Sequence, residues 1–247
     1  MKLMSALKDI LAEAKIISFD FDGTLVDSYT YMRDVIELML LHMGTPPNML
    51  QLVSELAYQE WFSRERANAM SYAGFAALLA EAAGKSGLSL PPPPPDFNEL
   101  FLEARIQATR PYPCAVQLLA ALKARGKVVV SVSGNDGIPG FKERRVEASG
   151  LLRFFDKLVV LPAGQLSRVE ALLEVAKEYG AEPSEVVHFD DRREVAYQIA
   201  EAGFRAVLVK TGMCTEALPH PQVLEVESLC EVLEALTSHR PAALKTS

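Results

Sequence analysis

The chain has 247 residues, of which 49% are hydrophobic and 23% charged, and it carries a formal net charge of -7. This composition excludes a disordered chain and leaves room for a sizeable core. The acidic balance argues against nucleic acid or an anionic membrane as bulk partner, though a phosphorylated ligand needs only local positive charge.

The first fifteen residues read as a short amphipathic helix, because Lys8 and Asp9 interrupt any apolar run of the kind a signal peptide needs. No later stretch approaches the ~20 apolar residues of a membrane span. The three cysteines, Cys114, Cys214 and Cys230, are odd in number, widely spaced and without a metal-type pair. They predict free thiols in a reducing cytoplasm.

A short apolar run at 14–19 predicts a strand buried on both faces, and similar runs follow at 127–132, 157–161, 186–189 and 206–209. Between the first and second runs the pattern turns helical. Met32, Val35, Ile36, Met39, Leu40 and Met43 mark one stripe, stopped by Gly44 and Pro46. A second helix is expected from Asn48 with Gln51 as capping-box partner, a third over 72–83, and a fourth from Asp96 with Glu99 as partner. The five prolines at 91–95 predict a stiff polyproline II spacer, with a ligand for a partner domain as the alternative. Later, Val169, Leu172, Leu173 and Ala176 predict a helix ended by Gly180, and Val195 and Ile199 another closed by Gly203. The tail from about Ser238 reads as loose.

Strands alternating with helices imply a parallel, doubly wound α/β sheet. The expected organisation is an α/β core of residues 1–28 and 110–247, with a helical cap of residues 29–109 inserted after the first strand. Such an insertion is expected over that strand's C-terminal end, where open α/β sheets bind ligands.

Four places carry the chemistry. The first strand runs into Asp20-Phe21-Asp22-Gly23-Thr24-Leu25-Val26-Asp27-Ser28. Asp20 and Asp22 are two apart, so an extended backbone points both carboxylates the same way, and they repel unless a cation is present or one stays protonated. Gly23 permits a tight turn. The second strand ends in Ser131-Val132-Ser133-Gly134, which places a hydroxyl and an amide at a strand end, with Ser131 as a rival inside the strand. The fourth ends in His188-Phe189-Asp190-Asp191, an acidic pair suited to a hard divalent cation or to capping the next helix. His188 reads as a core histidine before it reads as a base. Before the helix leading to that strand stands Gln165-Leu166-Ser167-Arg168, where Arg168 is the available cation and Lys157 a poorer one.

The string Asp20–Ser28 resembles the signature of the haloacid dehalogenase-like hydrolase superfamily, most of whose members are phosphatases. Ser133 with Gly134, and Asp190 with Asp191 twelve residues before Gly203, are similar to its second and fourth motifs. The resemblance covers about residues 14–28 and 111–212, and reaches the helical insertion only in placement, length and class. It implies a Rossmann-like core and Mg2+-dependent hydrolysis of a small-metabolite phosphomonoester. Asp20 would be the nucleophile, already ionised at neutral pH. Asp22 would be general acid, then base. Ser133, Gly134 and Arg168 would hold phosphate, and Asp20, Asp22, Asp190 and Asp191 would hold the metal. A helical cap would close over the site and exclude water, and its residues would choose the substrate; His42, Trp61, Arg64 and Arg66 are polar or aromatic there, but each reads as a surface or packing residue before a specificity residue.

The family expects a lysine where this chain has Arg168, and a planar guanidinium does not replace a compact ammonium one for one. That departure keeps open a degenerate member that binds a phosphorylated ligand or a protein with little turnover. A phosphosugar mutase would use the same aspartates. Carbon–halogen cleavage fits less well, since a departing halide needs no acid such as Asp22. A phospho-acceptor receiver domain is discounted because it orders its aspartates the other way along the chain. The sequence is silent on oligomeric state.

Overall fold

The computed structural model describes residues 2–162 and 167–238, so Gln165 and Leu166 and the tail beyond Ser238 lie outside the described residues. The chain opens with α1 (Lys2–Glu13), β1 (Ile16–Phe19) and β2 (Val26–Asp27). Four helices follow, α2 (Met32–His42), α3 (Pro47–Arg66), α4 (Phe75–Lys85) and α5 (Phe97–Ala108). Then come β3 (Arg110–Pro111), α6 (Ala115–Ala124), β4 (Val128–Gly134), α7 (Phe141–Ala148), β5 (Lys157–Leu161) and α8 (Arg168–Glu178). The last elements are β6 (Val186–Asp190), α9 (Arg193–Glu201), β7 (Arg205–Val209), β8 (Val223–Val226) and α10 (Leu229–Thr237).

Two compact units result. One comprises Met1–Val26, Pro111–Gly134 and Leu151–Ser247; the other comprises Asp27–Arg110 and Asn135–Gly150. The first, here called the core unit, holds a six-stranded, wholly parallel sheet in the order β5-β4-β1-β6-β7-β8. This is the doubly wound α/β fold that the alternation of strands and helices predicts. The five expected strands all form, and β8 is the addition. Its four residues follow a loop with two prolines, and so short an alternating run carries little signal.

The sheet forms because its strands are apolar on both faces. All four residues of β1 are fully buried, as are Val129, Val130, Val186 and Val187. Ile16, Val130, Val132, Val186, Ala206 and Leu208 pack on one side against Ala171, Leu172 and Val175 of α8 and Ala196 and Ile199 of α9. Of the expected α8 stripe, Leu172 and Ala176 are buried and Val169 packs against the same cluster; only Leu173 points away. Ala171, Leu172, Val175 and Ala176 face inward, while Leu173 is 45% exposed. Full burial of one such aliphatic side chain contributes about 1.5–3 kcal/mol. Strands 5-4-1 wind one way from β1 and 6-7-8 the other. The switch point therefore falls between β1 and β6, the position where such sheets open a crevice at the strands' C-terminal ends.

Two capping expectations fail. The second helix of the insertion starts at Pro47, whose fixed φ suits the first helical position, so no Asn48–Gln51 box forms. Asp96 precedes α5 without capping it, because its carboxylate is bound to His42 Nε2 at 2.9 Å. A box does form at α8, between Ser167 and Glu170. The third expected helix begins as one 3-10 turn, Tyr72–Gly74, before α4. The prolines at 91–95 form a largely exposed connection between α4 and α5.

The cysteines require a correction. Cys114, just before α6, and Cys230, on α10, form a disulfide, and Cys214 alone is free. The pairing is invisible in the sequence because 116 residues separate the partners, and only the packing of α6 on α10 brings them together. Among the described residues, no helix is long and apolar enough to cross a membrane.

The inserted unit has its own aromatic core, in which Phe75 and Phe101 stack at 4.3 Å and Phe101 also meets Phe141 at 5.4 Å. It also buries charge. Asp136 takes Lys142 Nζ at 2.9 Å on one oxygen and Arg145 Nη1 at 3.0 Å on the other, and all three residues are at least 95% buried.

Candidate active site

The site is assembled at the C-terminal edge of the core unit's sheet, where β1 and β6 lie side by side. Phe19 pairs with Phe189 in register and their rings stack at 4.8 Å, which fixes the residues that follow. Asp20 N–H donates to the Phe189 carbonyl at 2.9 Å. Asp20, Asp190 and Asp191 thereby converge, each offering one carboxylate oxygen within 4.8 Å of the others, and all three are buried. Asp22 lies one turn on, 9% exposed, where the chain closes on itself through Gly23 N–H to the Val26 carbonyl at 2.8 Å. Ser133 and Gly134 stand at the same edge, at the end of β4, the strand next to β1 on the other side. Ser133 is buried, and so is the rival Ser131, whose hydroxyl has no hydrogen-bond partner.

Arg168 is the first residue of α8, and its side chain turns into the acidic cluster. Nη1 lies 3.0 Å from Asp20 Oδ1 and also pairs with Asp190 Oδ2. Lys157 points elsewhere and pairs with Glu178. Burial alone would pull the Arg168 charge down, but Asp190, Asp20 and Asp191 outweigh it and raise its pKa.

The two acids of the pair differ. Both oxygens of Asp190 are engaged: Oδ2 by Arg168 and by His188 Nε2 at 3.2 Å, Oδ1 by the Arg192 N–H at 2.8 Å. Burial works to raise its pKa, yet Arg168, His188 and that N–H hold it below the usual carboxylate range. Asp191 Oδ2 accepts from Met213 N–H at 2.6 Å, but its Oδ1 is buried without a partner. Burial first, then Asp190 and Asp20, push the Asp191 carboxyl well above its ordinary value. An unpartnered buried carboxylate oxygen facing two like charges is what a hard divalent cation relieves. His188 is fully buried, and burial lowers its pKa although Asp190 works to raise it.

One part of the site escaped the sequence reading. The loop after β7 clamps Asp191: besides the Met213 amide, Thr211 Oγ1 donates to the Gly23 carbonyl at 2.6 Å. Gly23 and Gly212 both have positive φ, and a Cβ built on either would lie 2.2 Å from Asp191 Oδ2. Tyr112 supports the loop, its hydroxyl accepting from Gly212 N–H at 3.3 Å. The available signal was Gly212, three residues past the last predicted strand, where a glycine permits close backbone approach.

Comparison with known proteins extends the picture. The family model described as haloacid dehalogenase-like hydrolase matches residues 14–203. Phosphoglycolate phosphatase 1 of Pseudomonas aeruginosa is 27% identical over 222 residues, covering 85% of this chain and 75% of the relative. Phosphoglycolate phosphatase of Caulobacter vibrioides is 26% identical over 216 residues, covering 86% of this chain and 85% of that one. Among solved structures, L-2-haloacid dehalogenase from Xanthobacter autotrophicus shares the fold with a TM-score of 0.62 at 17% identity, over 92% of this chain and 100% of the other.

Proposed function

The chain belongs to the haloacid dehalogenase-like hydrolase family, and from that premise we propose that it is a magnesium-dependent phosphatase acting on a small phosphomonoester through a phospho-aspartate at Asp20. The observation that carries this reading is the buried convergence of Asp20, Asp190 and Asp191, one of whose oxygens, Asp191 Oδ1, is left unpartnered. The relatives named phosphoglycolate phosphatase make 2-phosphoglycolate the first substrate to try.

The donor set fits a hard divalent cation. Asp20, Asp191 and the main-chain carbonyl of Asp22 would hold magnesium, and Asp190, whose oxygens are already engaged, serves chiefly to hold Arg168. When bound, the ion neutralises charge shared between the carboxylates and the phosphoryl oxygens. The chain's own residues do the rest. Asp20 attacks phosphorus, and Asp22 gives a proton to the departing oxygen. Asp22 then takes a proton from the water that opens the acyl phosphate, releasing inorganic phosphate. Ser133 and the Gly134 amide would hold phosphoryl oxygens. Arg168 would share its charge between Asp20 and phosphate.

A degenerate, binding-only protein is the reading that the missing lysine favours, and the position of Arg168 weakens it, since a cation does bridge Asp20 and Asp190. A cytoplasmic location had rested on free thiols, and the Cys114–Cys230 bridge removes that support. The test is phosphate release from 2-phosphoglycolate and from a generic aryl phosphate, with magnesium or with chelator, by the native chain and by Asp20→Asn. Release that survives the substitution sinks the covalent mechanism, and no release by either protein returns the binding reading.

A further inference from the structure

His188 and Ser18 lie directly opposite each other in the parallel register of β1 and β6, two residues before Asp190 at the end of β6 and Asp20 just past the end of β1. Period-two alternation therefore puts all four side chains on one face of the sheet. His188 Nδ1 is 2.9 Å from Ser18 Oγ and Nε2 is 3.2 Å from Asp190 Oδ2. The contacts continue from Asp190 Oδ2 to Arg168 Nη1, and from Nη1 to Asp20 Oδ1 at 3.0 Å. A single chain of polar contacts thus runs from the interior of β1, through a histidine, an aspartate and an arginine, back to the residue just past the end of the same strand.

The donors follow from the chemistry of the partners. An ionised carboxylate only accepts, so the Nε2 proton of His188 points at Asp190. With that proton on Nε2, Nδ1 is the acceptor and the Ser18 hydroxyl donates to it. We propose that His188 is a positioning residue. With Ser18 fixing its ring, it holds Asp190 Oδ2 where Arg168 must straddle Asp190 and Asp20, and so it sets the direction of the attacking carboxylate without touching substrate. Removal of the Nε2 donor leaves Asp190 Oδ2 held by Arg168 alone. Arg168 then shifts its charge onto Asp20, which blunts the nucleophile.

This inference rests on the phosphatase reading for its kinetic consequence but not for its hydrogen bonds, and the experiment separates the two. His188→Gln places an amide donor near the original Nε2, whereas His188→Asn places one near Nδ1 and leaves Asp190 Oδ2 to Arg168 alone. Outer partners of this kind cost about 10- to 100-fold when lost. The expected result is a fall of that size in kcat for His188→Asn, with KM changed only a few-fold, and substantial recovery in His188→Gln. Equal losses in both variants that track their thermal midpoints would reduce His188 to a packing residue and overturn the proposal. Independently of turnover, ring-nitrogen NMR of the native chain is expected to find the proton on Nε2, and a proton on Nδ1 alone would overturn it too. A native chain that releases no phosphate but carries the proton on Nε2 defeats the phosphatase reading alone.

Discussion

In the inserted unit a carboxylate lies between two cations, Asp136 between Lys142 and Arg145; at the sheet edge of the core unit a cation lies between two carboxylates, Arg168 between Asp20 and Asp190. Both clusters are largely buried. They differ in what remains open. Each oxygen of Asp136 has its own cation. At the sheet edge a third carboxylate, Asp191, keeps one buried oxygen without any partner. The inserted cluster is finished by the chain itself and reads as structural. The other lacks a positive charge, and that deficit, more than burial, distinguishes a working site from an internal brace.

The largest expected effect tests the working cluster. Asp20→Asn should cut phosphate release by on the order of 10⁴-fold or more, as loss of a nucleophile does, while thermal unfolding shows the fold intact. Asp136→Asn should leave the chemistry in place but destabilise the inserted unit by about 3–5 kcal/mol, because it strands two buried cations. Denaturant unfolding of the two variants measures that opposition, and equal stability loss would erase the distinction drawn above.

Next in size is the covalent contrast. Only the core unit is stapled, by Cys114–Cys230 across 116 residues. Reduction, or Cys230→Ser, should lower core-unit stability by about 2–4 kcal/mol and leave the inserted unit's transition unchanged in calorimetry. Titration of the denatured, unreduced protein should find one thiol, Cys214.

The smallest effect concerns sign. Asp191→Asn should stabilise the protein in chelator, by about 1–3 kcal/mol, since it removes a buried carboxylate with one unpartnered oxygen beside Asp190 and Asp20, while magnesium no longer raises the melting temperature. The pH dependence follows. Because the folded carboxyl of Asp191 is raised, its contribution is full below the usual aspartate range and is lost as pH climbs toward the folded value. Asp190 is depressed and behaves oppositely: its contribution is present above that range and is lost as pH falls through the folded value. Melting temperatures in chelator across pH 4–8 should therefore slope downward for the native chain relative to Asp191→Asn, and magnesium should flatten the difference.

Much of this was legible in the residues. The aspartates at two strand ends, the strands themselves and the helical insertion follow from period and composition, because a strand buried on both faces leaves an unmistakable apolar run. What stayed hidden depended on distance along the chain. The Thr211–Met213 loop reaches Asp191 only after β7 has docked beside β6, and nothing local to Lys210-Thr211-Gly212 announces a carboxylate. The disulfide failed for the same reason. The two capping boxes failed for a different one, since Pro47 competed for one helix start and His42 for the other's carboxylate. His188 was rightly placed in the interior, but its two partners emerge only from the register of β1 on β6.

The glycines that close on Asp191 have a further consequence. Gly23 and Gly212 come from opposite ends of the core unit's chain, yet each shuts on the same carboxylate oxygen with less room than a methyl group requires. A mutation at either position is therefore judged by the same atom, and neither can be rescued by a change at the other. Descendants of this chain that keep the acidic pair should keep both glycines together. A lineage that abandons hydrolysis should betray itself first by a side chain at one of them, long before its sheet looks any different.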